Sequence, residues 1–279
     1  MEQESIVIYF VCDELLKAIQ VYDDPQSKMS NAEVMTFTII AAKWFYSNHR
    51  QARAVCRSFK YFPNLLSTSR LNRRIHRIPW IAWSAVFQFL AILFKDRNTT
   101  KEYAIDSCPI PCCQKVRIDR RKLFLGKNYV GYAASKKKYF CGLRIHMVVT
   151  ASGEPVEFVL RPASENDVSV AWGMNLDIEE GAKLYADGAY TSFALEDILL
   201  DDECITLLPK RGKAHKRRRH SDELQKMISS RRQIVETAFS CITDMMPRNL
   251  RFRTERAFLI KIWALVIAYS FSRSELTHS

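Results

Sequence analysis

The sequence predicts a mixed α/β protein in which an all-helical N-terminal region precedes a mixed sheet covered by helices. Three observations support this fold class. Over residues 1–98 the apolar residues recur with helical spacing. Beyond residue 98, short apolar runs alternate with helical segments in the order β–β–β–α–β–α–β–α, which favours a mixed sheet packed against helices. The chain has 279 residues, 48% of them hydrophobic, and this is enough to bury a large core.

The N-terminal region begins with an amphipathic helix over about residues 6–21. The next helix starts at a capping box, with Ser30 as the N-cap and Glu33 reaching back to it, and continues to about residue 46. A short helix over 50–59, a basic helix over 67–78 and a buried apolar helix over 79–94 follow. The polar segment 96–100 is the expected boundary, so the sequence predicts two domains, 1–98 and 99–279.

The basic helix carries an apolar stripe of Leu71, Ile75 and Ile78. Its arginines point elsewhere, and they are Arg70, Arg73, Arg74 and Arg77. The preceding helices, the turn and this helix have the outline of a helix-turn-helix module with a recognition helix. A helical bundle with a basic, solvated face explains the same pattern, and the sequence does not decide between the two.

The second region contains the predicted strands. A short strand over 104–106 ends at Asp106, and a hairpin over 143–150 and 156–160 follows a basic loop. Asn166 and Asp167 are placed to cap a short helix. A strand over 184–186 leads into Asp187, a helix over 191–200 and a strand over 204–208 come next, and a long helix begins at Ser221 and carries Glu236.

Three acids in this region are candidates for one metal site. Asp106 and Asp187 each end an apolar run that reads as a buried strand, and a charge there is costly unless it is compensated, for example by a metal ion. Arg232 and Glu236 are four residues apart on one helix face, which alone fits an ordinary surface ion pair. Together, two strand-end aspartates and a helix glutamate can hold a pair of divalent ions for phosphoryl transfer. Asp119 is expected to be paired within a basic loop, and Asp167 to cap a helix.

The charge balance predicts a polyanionic partner. The formal net charge is +12 and the pI is about 9.4, which fits a nucleic acid or an anionic membrane surface. Two basic loops, 115–138 and 209–219, are expected to follow DNA phosphates, although such charge runs often serve only solubility. The predicted DNA-contacting residues of the two loops are Lys136, Lys137, Lys138, Lys210, Arg211, Lys213, Lys216, Arg217, Arg218 and Arg219.

Cysteine content and apolar stretches indicate a cytoplasmic protein without a membrane segment. The chain starts with an acidic rather than a basic stretch, so reduced thiols are expected for its eight cysteines. Cys108, Cys112 and Cys113 suggest a zinc site, but no paired C-x-x-C or histidine completes the pattern. The apolar run 79–94 is shorter than the ~20 residues that a membrane-spanning helix needs.

Four short motifs resemble the DDE transposases of bacterial insertion sequences, in particular the insertion-sequence 982 family. They are Ile105-Asp106-Ser107, the strand segment 142–146, the segment 186–190 around Asp187, and Arg232-x3-Glu236. The helical region 30–77 is also similar to the N-terminal part of that family. Two positions depart from the last motif of related transposases, because Ser229 stands where they often have tyrosine and Thr243 where they often have lysine.

The resemblance implies an RNase H-like catalytic core with a mixed five-stranded sheet and helices on both faces, in domain 99–279. It implies that Asp106, Asp187 and Glu236 bind two Mg²⁺ or Mn²⁺ ions, with Asp106 as the bridging ligand. Arg232 lies one helical turn before Glu236, so it is expected to steady the glutamate or else to contact the scissile phosphate, and we favour the first role. The implied activity is cleavage and transfer of DNA strands at the ends of the element, by a homodimer or higher oligomer associated with the nucleoid. A nuclease of the same fold that does not join strands, and a catalytically silent DNA-binding derivative, are the alternatives.

Overall fold

The computed structural model describes residues 1–114, 119, 121–133, 137–212, 218–247 and 252–277. The chain divides into two compact units. The first consists of residues 1–90 and 241–279, and the second of residues 91–240. This division by compactness differs from the predicted boundary at residue 98, and the domain assignment itself stays a prediction.

The first unit is helical, as predicted. It contains α1 (Glu2–Ala18), α2 (Asn31–Phe45), α3 (His49–Ser58), α4 (Thr68–Arg77), the first part of α5 (Trp80–Arg97) and α9 (Glu255–Arg273). Helices α2 and α9 pack on each other and are apolar on nearly all sides, so most of their side chains are buried. Because α9 buries its side chains in this way, the C-terminal part of the chain belongs to the helical unit.

The predicted capping box of α2 is confirmed. The Ser30 Oγ accepts a hydrogen bond from the Glu33 backbone N–H at 3.0 Å, and the Glu33 carboxylate accepts one from the Ser30 N–H at 2.7 Å. The two bonds satisfy N–H groups that a helix start otherwise leaves without a partner. In the described residues no single helix is long and apolar enough to cross a membrane, and α4 with α5 reaches the required length only as a pair bent by 76°.

The second unit contains a six-stranded mixed sheet flanked by helices. The strands are β1 (Glu102–Gln114), β2 (Val130–Ala133), β3 (Lys138–Thr150), β4 (Pro155–Pro162), β5 (Lys183–Ala186) and β6 (Thr206–Pro209). Strand β3 is antiparallel to β1, β2 and β4, whereas β1, β5 and β6 run parallel in that order. The remaining helices are α6 (Asp167–Trp172), α7 (Phe193–Glu203) and α8 (Asp222–Asp244). An antiparallel hairpin extended by parallel strands is the RNase H-like arrangement, so the predicted fold class is confirmed.

Two details of the sheet differ from the prediction. The described residues form six strands rather than five, because β2 lies inside the segment that was predicted to be a basic loop. Strands β2 and β4 pair with different halves of the long strand β3, so both are accommodated on it. Strand β1 does not end at Asp106 but continues to Gln114, since β3 pairs with it along this whole length.

Candidate active site

The sheet register places Asp106 next to Asp187. The last parallel pair between β1 and β5 joins Ile105 to Ala186. Asp106 is the next residue of β1, and Asp187 is the first residue after β5. Asp187 therefore lies at a strand end, as predicted, whereas Asp106 lies inside a strand at the point where its parallel neighbour stops. The two aspartates meet where an α/β sheet usually opens a binding crevice, beyond the carboxyl end of a parallel strand.

Helix α8 adds Arg232 and Glu236 to the two aspartates. One guanidinium nitrogen of Arg232 lies 2.8 Å from the Asp106 Oδ2 and 3.4 Å from the Glu236 Oε1, and the other lies 3.3 Å from the Asp187 Oδ1. The Arg232 and Asp106 side chains are 11% and 16% exposed, whereas those of Asp187 and Glu236 are 44% and 57% exposed. The structure thus brings all three predicted acids together around one guanidinium.

The positive and negative charges of the site do not cancel. Three carboxylates surround one guanidinium, so negative charge is in excess and a further cation would be attracted. Carboxylate oxygens are the ligands that Mg²⁺ and Mn²⁺ prefer, so the donor set fits such ions. The acids are spread around the guanidinium. Within the described part of the chain, only three thiols elsewhere on the sheet form a group of three or more potential ligand atoms that all lie within 4.8 Å of one another.

The surroundings of Asp106 contain groups that raise the pKa of its carboxyl group and groups that lower it. Burial raises the pKa of the Asp106 carboxyl above its ordinary value, and the nearby charge of Asp187 adds to this rise. The Ser107 backbone N–H, which donates to the Asp106 Oδ1 at 2.7 Å, and the Arg232 guanidinium lower it, but the burial effect is larger. A nearby cation therefore stabilises the charged form of Asp106 more than it would that of an exposed aspartate.

Asp167 is a fourth acid near this site, and its predicted role as an N-cap was wrong. The N-cap of α6 is Asn166, whose Oδ1 accepts from the Ser169 N–H at 2.7 Å. The Asp167 Oδ1 instead lies 3.7 Å from an Arg144 guanidinium nitrogen and 3.8 Å from the His146 Nδ1. Burial raises the pKa of Asp167, with a smaller contribution from the charge of Asp187. The sequence shows two successive residues that can each cap a helix, Asn166 and Asp167. Because only one of them can be the N-cap, the sequence already indicated that the other is available for a different role.

A buried histidine connects this acid to the core. His146 is 0% exposed, and its Nδ1 lies 3.1 Å from the Tyr190 hydroxyl. Burial and the nearby guanidinium groups of Arg144 and Arg161 lower the pKa of His146 to about 4. The sequence did not indicate that Arg144 and Tyr190 belong to one network beside Asp106, because their contacts join separate strands and turns. Asp119, the other rival acid, is exposed.

The predicted DNA-contacting residues fall into three groups. The exposed ones are Arg70, Arg73, Arg77, Lys137, Lys138, Lys210, Arg218 and Arg219. Lys136, Lys213, Lys216 and Arg217 lie outside the described residues. Arg74 and Arg211 are engaged inside the protein, so for these two the structure does not support the predicted role.

The internal partners of these two arginines explain the difference. Arg74 donates to the Met29 carbonyl at 2.9 Å and to the Asn31 Oδ1 at 3.0 Å, which holds the start of α2 against α4. The Arg211 side chain is 1% exposed and forms an ion pair with Glu196. Arg218 is exposed but also pairs with Asp197 at 2.7 Å. Acidic partners far away in the sequence thus neutralise part of the predicted basic surface.

The chain was compared with protein families, curated proteins and solved structures. The family model described as "Transposase DDE domain" matches residues 97–271. A solved structure of a piggyBac transposase, in a synaptic complex with hairpin DNA, is similar with a TM-score of 0.49 and 12% sequence identity, over 97% of this chain and 74% of that chain. No curated protein matches the sequence. Since the family match covers more than half of the chain and includes all three acids, the protein belongs to the DDE transposase family.

Proposed function

We propose that this protein is a transposase that cuts DNA at the ends of its own element and joins the freed strands to a target. The observation that carries the proposal is the convergence of Asp106, Asp187 and Glu236 on Arg232. A strand interior, a strand end and a distant helix supply these acids, so their meeting does not follow from local sequence. Membership of a metal-dependent DDE family adds support. The sequence motifs further suggest a bacterial element of the insertion-sequence 982 type.

Asp106, Asp187 and Glu236 are the residues that would hold two Mg²⁺ or Mn²⁺ ions. Such ions activate the attacking oxygen and stabilise the leaving oxygen of a phosphodiester. Asp106 is the most enclosed of the three and lies beside Asp187 in the sheet register, which supports its assignment as the bridging ligand. Arg232 touches all three acids, and its shortest contact is to Asp106, so we assign it to positioning both the aspartate and the glutamate.

DNA is the proposed partner, and exposed basic residues are its proposed contacts. On α4 these are Arg70, Arg73 and Arg77, which point outward while Leu71 and Ile75 are buried. In the sheet unit the exposed Lys137, Lys138, Lys210 and Arg219 are the candidates. Pairing of two element ends makes a homodimer or higher oligomer the proposed assembly, with the protein at the bacterial nucleoid. Phosphate contacts of these basic residues would give affinity without sequence preference. Any base reading is assigned to α4 as the recognition helix, through side chains other than these three arginines.

The proposal is tested with Asp106→Asn, Asp187→Asn and Glu236→Gln, assayed on duplex DNA that carries the sequences flanking the gene. Because each change removes a charge from the proposed ion ligands, we expect cleavage to fall at least ~10²-fold in every variant. Binding of the same DNA should be unchanged. Glu223→Gln, at an exposed position of the same helix α8, is the control and should cleave normally.

The outcomes separate the alternatives. Cleavage without joining of a 3′-hydroxyl end to a target would identify a nuclease of the same fold. DNA binding without cleavage in the unaltered chain, at any Mg²⁺ or Mn²⁺ concentration, would identify a silent DNA-binding derivative. Full activity in any one of the three variants would remove that residue from the site.

A further inference from the structure

Three cysteine sulfurs gather at the end of the β1–β3 pair that is remote from the acids. The Sγ atoms of Cys112, Cys113 and Cys141 all lie within 4.8 Å of one another, and those of Cys112 and Cys141 are 3.6 Å apart. Cys141 is buried, and the other two are partly exposed. Cys108, which the sequence grouped with Cys112 and Cys113, is not part of this cluster, and Cys141 from the neighbouring strand takes its place.

A β-bulge explains how two successive cysteines reach the same place. In a regular strand Cys112 and Cys113 would point to opposite faces of the sheet. The register between β1 and β3 shifts between Pro111 and Cys113, so that Cys113 is the partner of Cys141 and Cys112 is the extra residue. A bulge of this type re-aims side chains on the bulged strand.

The partner strand is adapted to the bulge. Gly142 lies opposite Pro111, and a Cβ at this position would be only 2.2 Å from the Ile110 carbonyl oxygen. Only glycine therefore permits the two backbones to approach so closely here. The sequence Cys141-Gly142 thus supplies both a third sulfur and the space that the bulge needs.

The spacing of the sulfurs fits coordination of one metal ion. Zinc–sulfur bonds of about 2.3 Å in tetrahedral geometry place two sulfurs about 3.8 Å apart. The 3.6 Å between Cys112 and Cys141 is close to this value and far above the length of a disulfide bond. Sulfur ligands select thiophilic ions such as Zn²⁺ or Cu⁺, not the hard ions that carboxylates bind. Three sulfurs leave one tetrahedral position for a water molecule or another donor.

From this geometry we infer that Cys112, Cys113 and Cys141 bind one thiophilic metal ion, of the zinc or copper(I) class, as a staple between β1 and β3. The site is separate from the acidic one. Cys112 is six residues beyond Asp106 on β1, which corresponds to about 20 Å of extended strand.

The test uses the full chain, reduced and stripped of metal by a chelator. In an excess of Mg²⁺, which would occupy the acidic site, titration with Co²⁺, a spectroscopic substitute for Zn²⁺, should saturate a sulfur-to-cobalt charge-transfer absorption band at one ion per chain. Zn²⁺ should abolish this band, whereas a large excess of Mg²⁺ should leave it unchanged. Competition against a chromophoric chelator for Zn²⁺, and against one for Cu⁺, identifies which of the two ions the site prefers.

Matched variants locate the binding to this cluster. Cys112→Ser and Cys141→Ser should each weaken Zn²⁺ binding at least ~10-fold, since even an outer-shell partner of a metal ligand contributes that much. Cys241→Ser removes an exposed cysteine of α8 and should have no effect. In the unaltered chain, Zn²⁺ should protect Cys112, Cys113 and Cys141 from alkylation while Cys204 and Cys241 still react, and this readout does not depend on the folding of any variant.

Three results would overturn the inference. The first is a Co²⁺ complex without a charge-transfer band from sulfur. The second is equal loss of Zn²⁺ binding in Cys141→Ser and Cys241→Ser. The third is a Cys112–Cys141 disulfide found by peptide mapping as the resident state of the purified, unreduced protein.

Discussion

Arg232 is a single guanidinium shared by three carboxylates, and its position explains how the acids stay together without a metal ion. Asp106 is the enclosed partner, so the loss of its hydrogen-bonded cation leaves a poorly solvated charge. Asp187 and Glu236 are more exposed, and water screens most of their interaction with the arginine. The stabilisation is therefore concentrated in the contact between Arg232 and Asp106.

Replacement of Arg232 by methionine should destabilise the metal-free protein and increase its response to divalent ions. We expect a loss of about 1–3 kcal/mol in the free energy of unfolding, the typical cost of a buried polar group without its partner. Mg²⁺ should restore more stability to the variant than to the unaltered chain, because it would compensate the same charges. Urea unfolding with Mg²⁺ and with EDTA measures both effects.

The neighbouring residue provides a matched control for this change. Arg231 is 44% exposed and pairs with Glu102 at 3.0 Å. Its replacement by methionine should cost no more than ~1 kcal/mol, as is usual for surface ion pairs, and should leave the Mg²⁺ response unchanged. Equal responses of the two variants to Mg²⁺ would contradict the role assigned to Arg232.

His146 should make stability depend on pH. Its pKa in the folded protein is about 4, below the ordinary value of 6.5, so the folded state binds fewer protons than the unfolded state between these values. The free energy of unfolding therefore decreases as the pH falls through this window, by up to about 3 kcal/mol from this group. Urea unfolding at pH 7 and pH 4.5 should show a smaller decrease for His146→Gln, which cannot titrate. The same decrease in both proteins would exclude His146 as the cause.

At the scale of single elements, the capping box of α2 is a testable source of stability. Ser30→Ala removes the acceptor for the Glu33 N–H, and the expected cost is about 1 kcal/mol. Ser67 is the N-cap of α4 but makes no capping hydrogen bond with its side chain. Ser67→Ala is therefore the matched control and should change the free energy of unfolding much less. Thermal or urea denaturation of the two variants makes the comparison.

The sequence predicted those elements that depend on residues within a single segment. The capping box fixes where α2 begins, and the apolar run 184–186 marks β5 and the position of Asp187. The long helix predicted to begin at Ser221 is likewise found, as α8. These features follow from propensity and periodicity within one segment.

The remaining features depend on pairing between distant segments. Strand β1 extends past Asp106, through Pro109 and Pro111, because β3 pairs along its whole length. Prolines are tolerated there because β5 stops at Ala186, which leaves the other edge of β1 without a strand partner among the described residues. Strand β2 and the bulge that unites the cysteines likewise need β3 to form. For the same reason, the sequence could name the three acids as candidates for one site but could not show that they meet.

At the scale of the whole molecule, the net charge of +12 does not show which basic side chains are available to DNA. Arg74 and Arg211 are used internally, and Arg218 is shared with acidic side chains. If the overall charge alone attracted a polyanion, its affinity would depend on the number of basic residues removed and not on their positions. A polyanion held by specific residues would respond to the removal of those residues and not of others.

Exposed arginines on α4 allow this distinction to be made by measurement. Replacement of Arg70, Arg73 and Arg77 together by glutamine should reduce the slope of log K against log salt concentration by about 3, because each lost phosphate contact lowers the slope by about 0.9. Duplex binding measured at several salt concentrations gives this slope. The charge-matched control replaces the exposed Lys17, Lys183 and Lys226 by glutamine and should leave it nearly unchanged. If both triple variants lower the slope equally, DNA is held by diffuse attraction to the net charge, and α4 has no special part in binding.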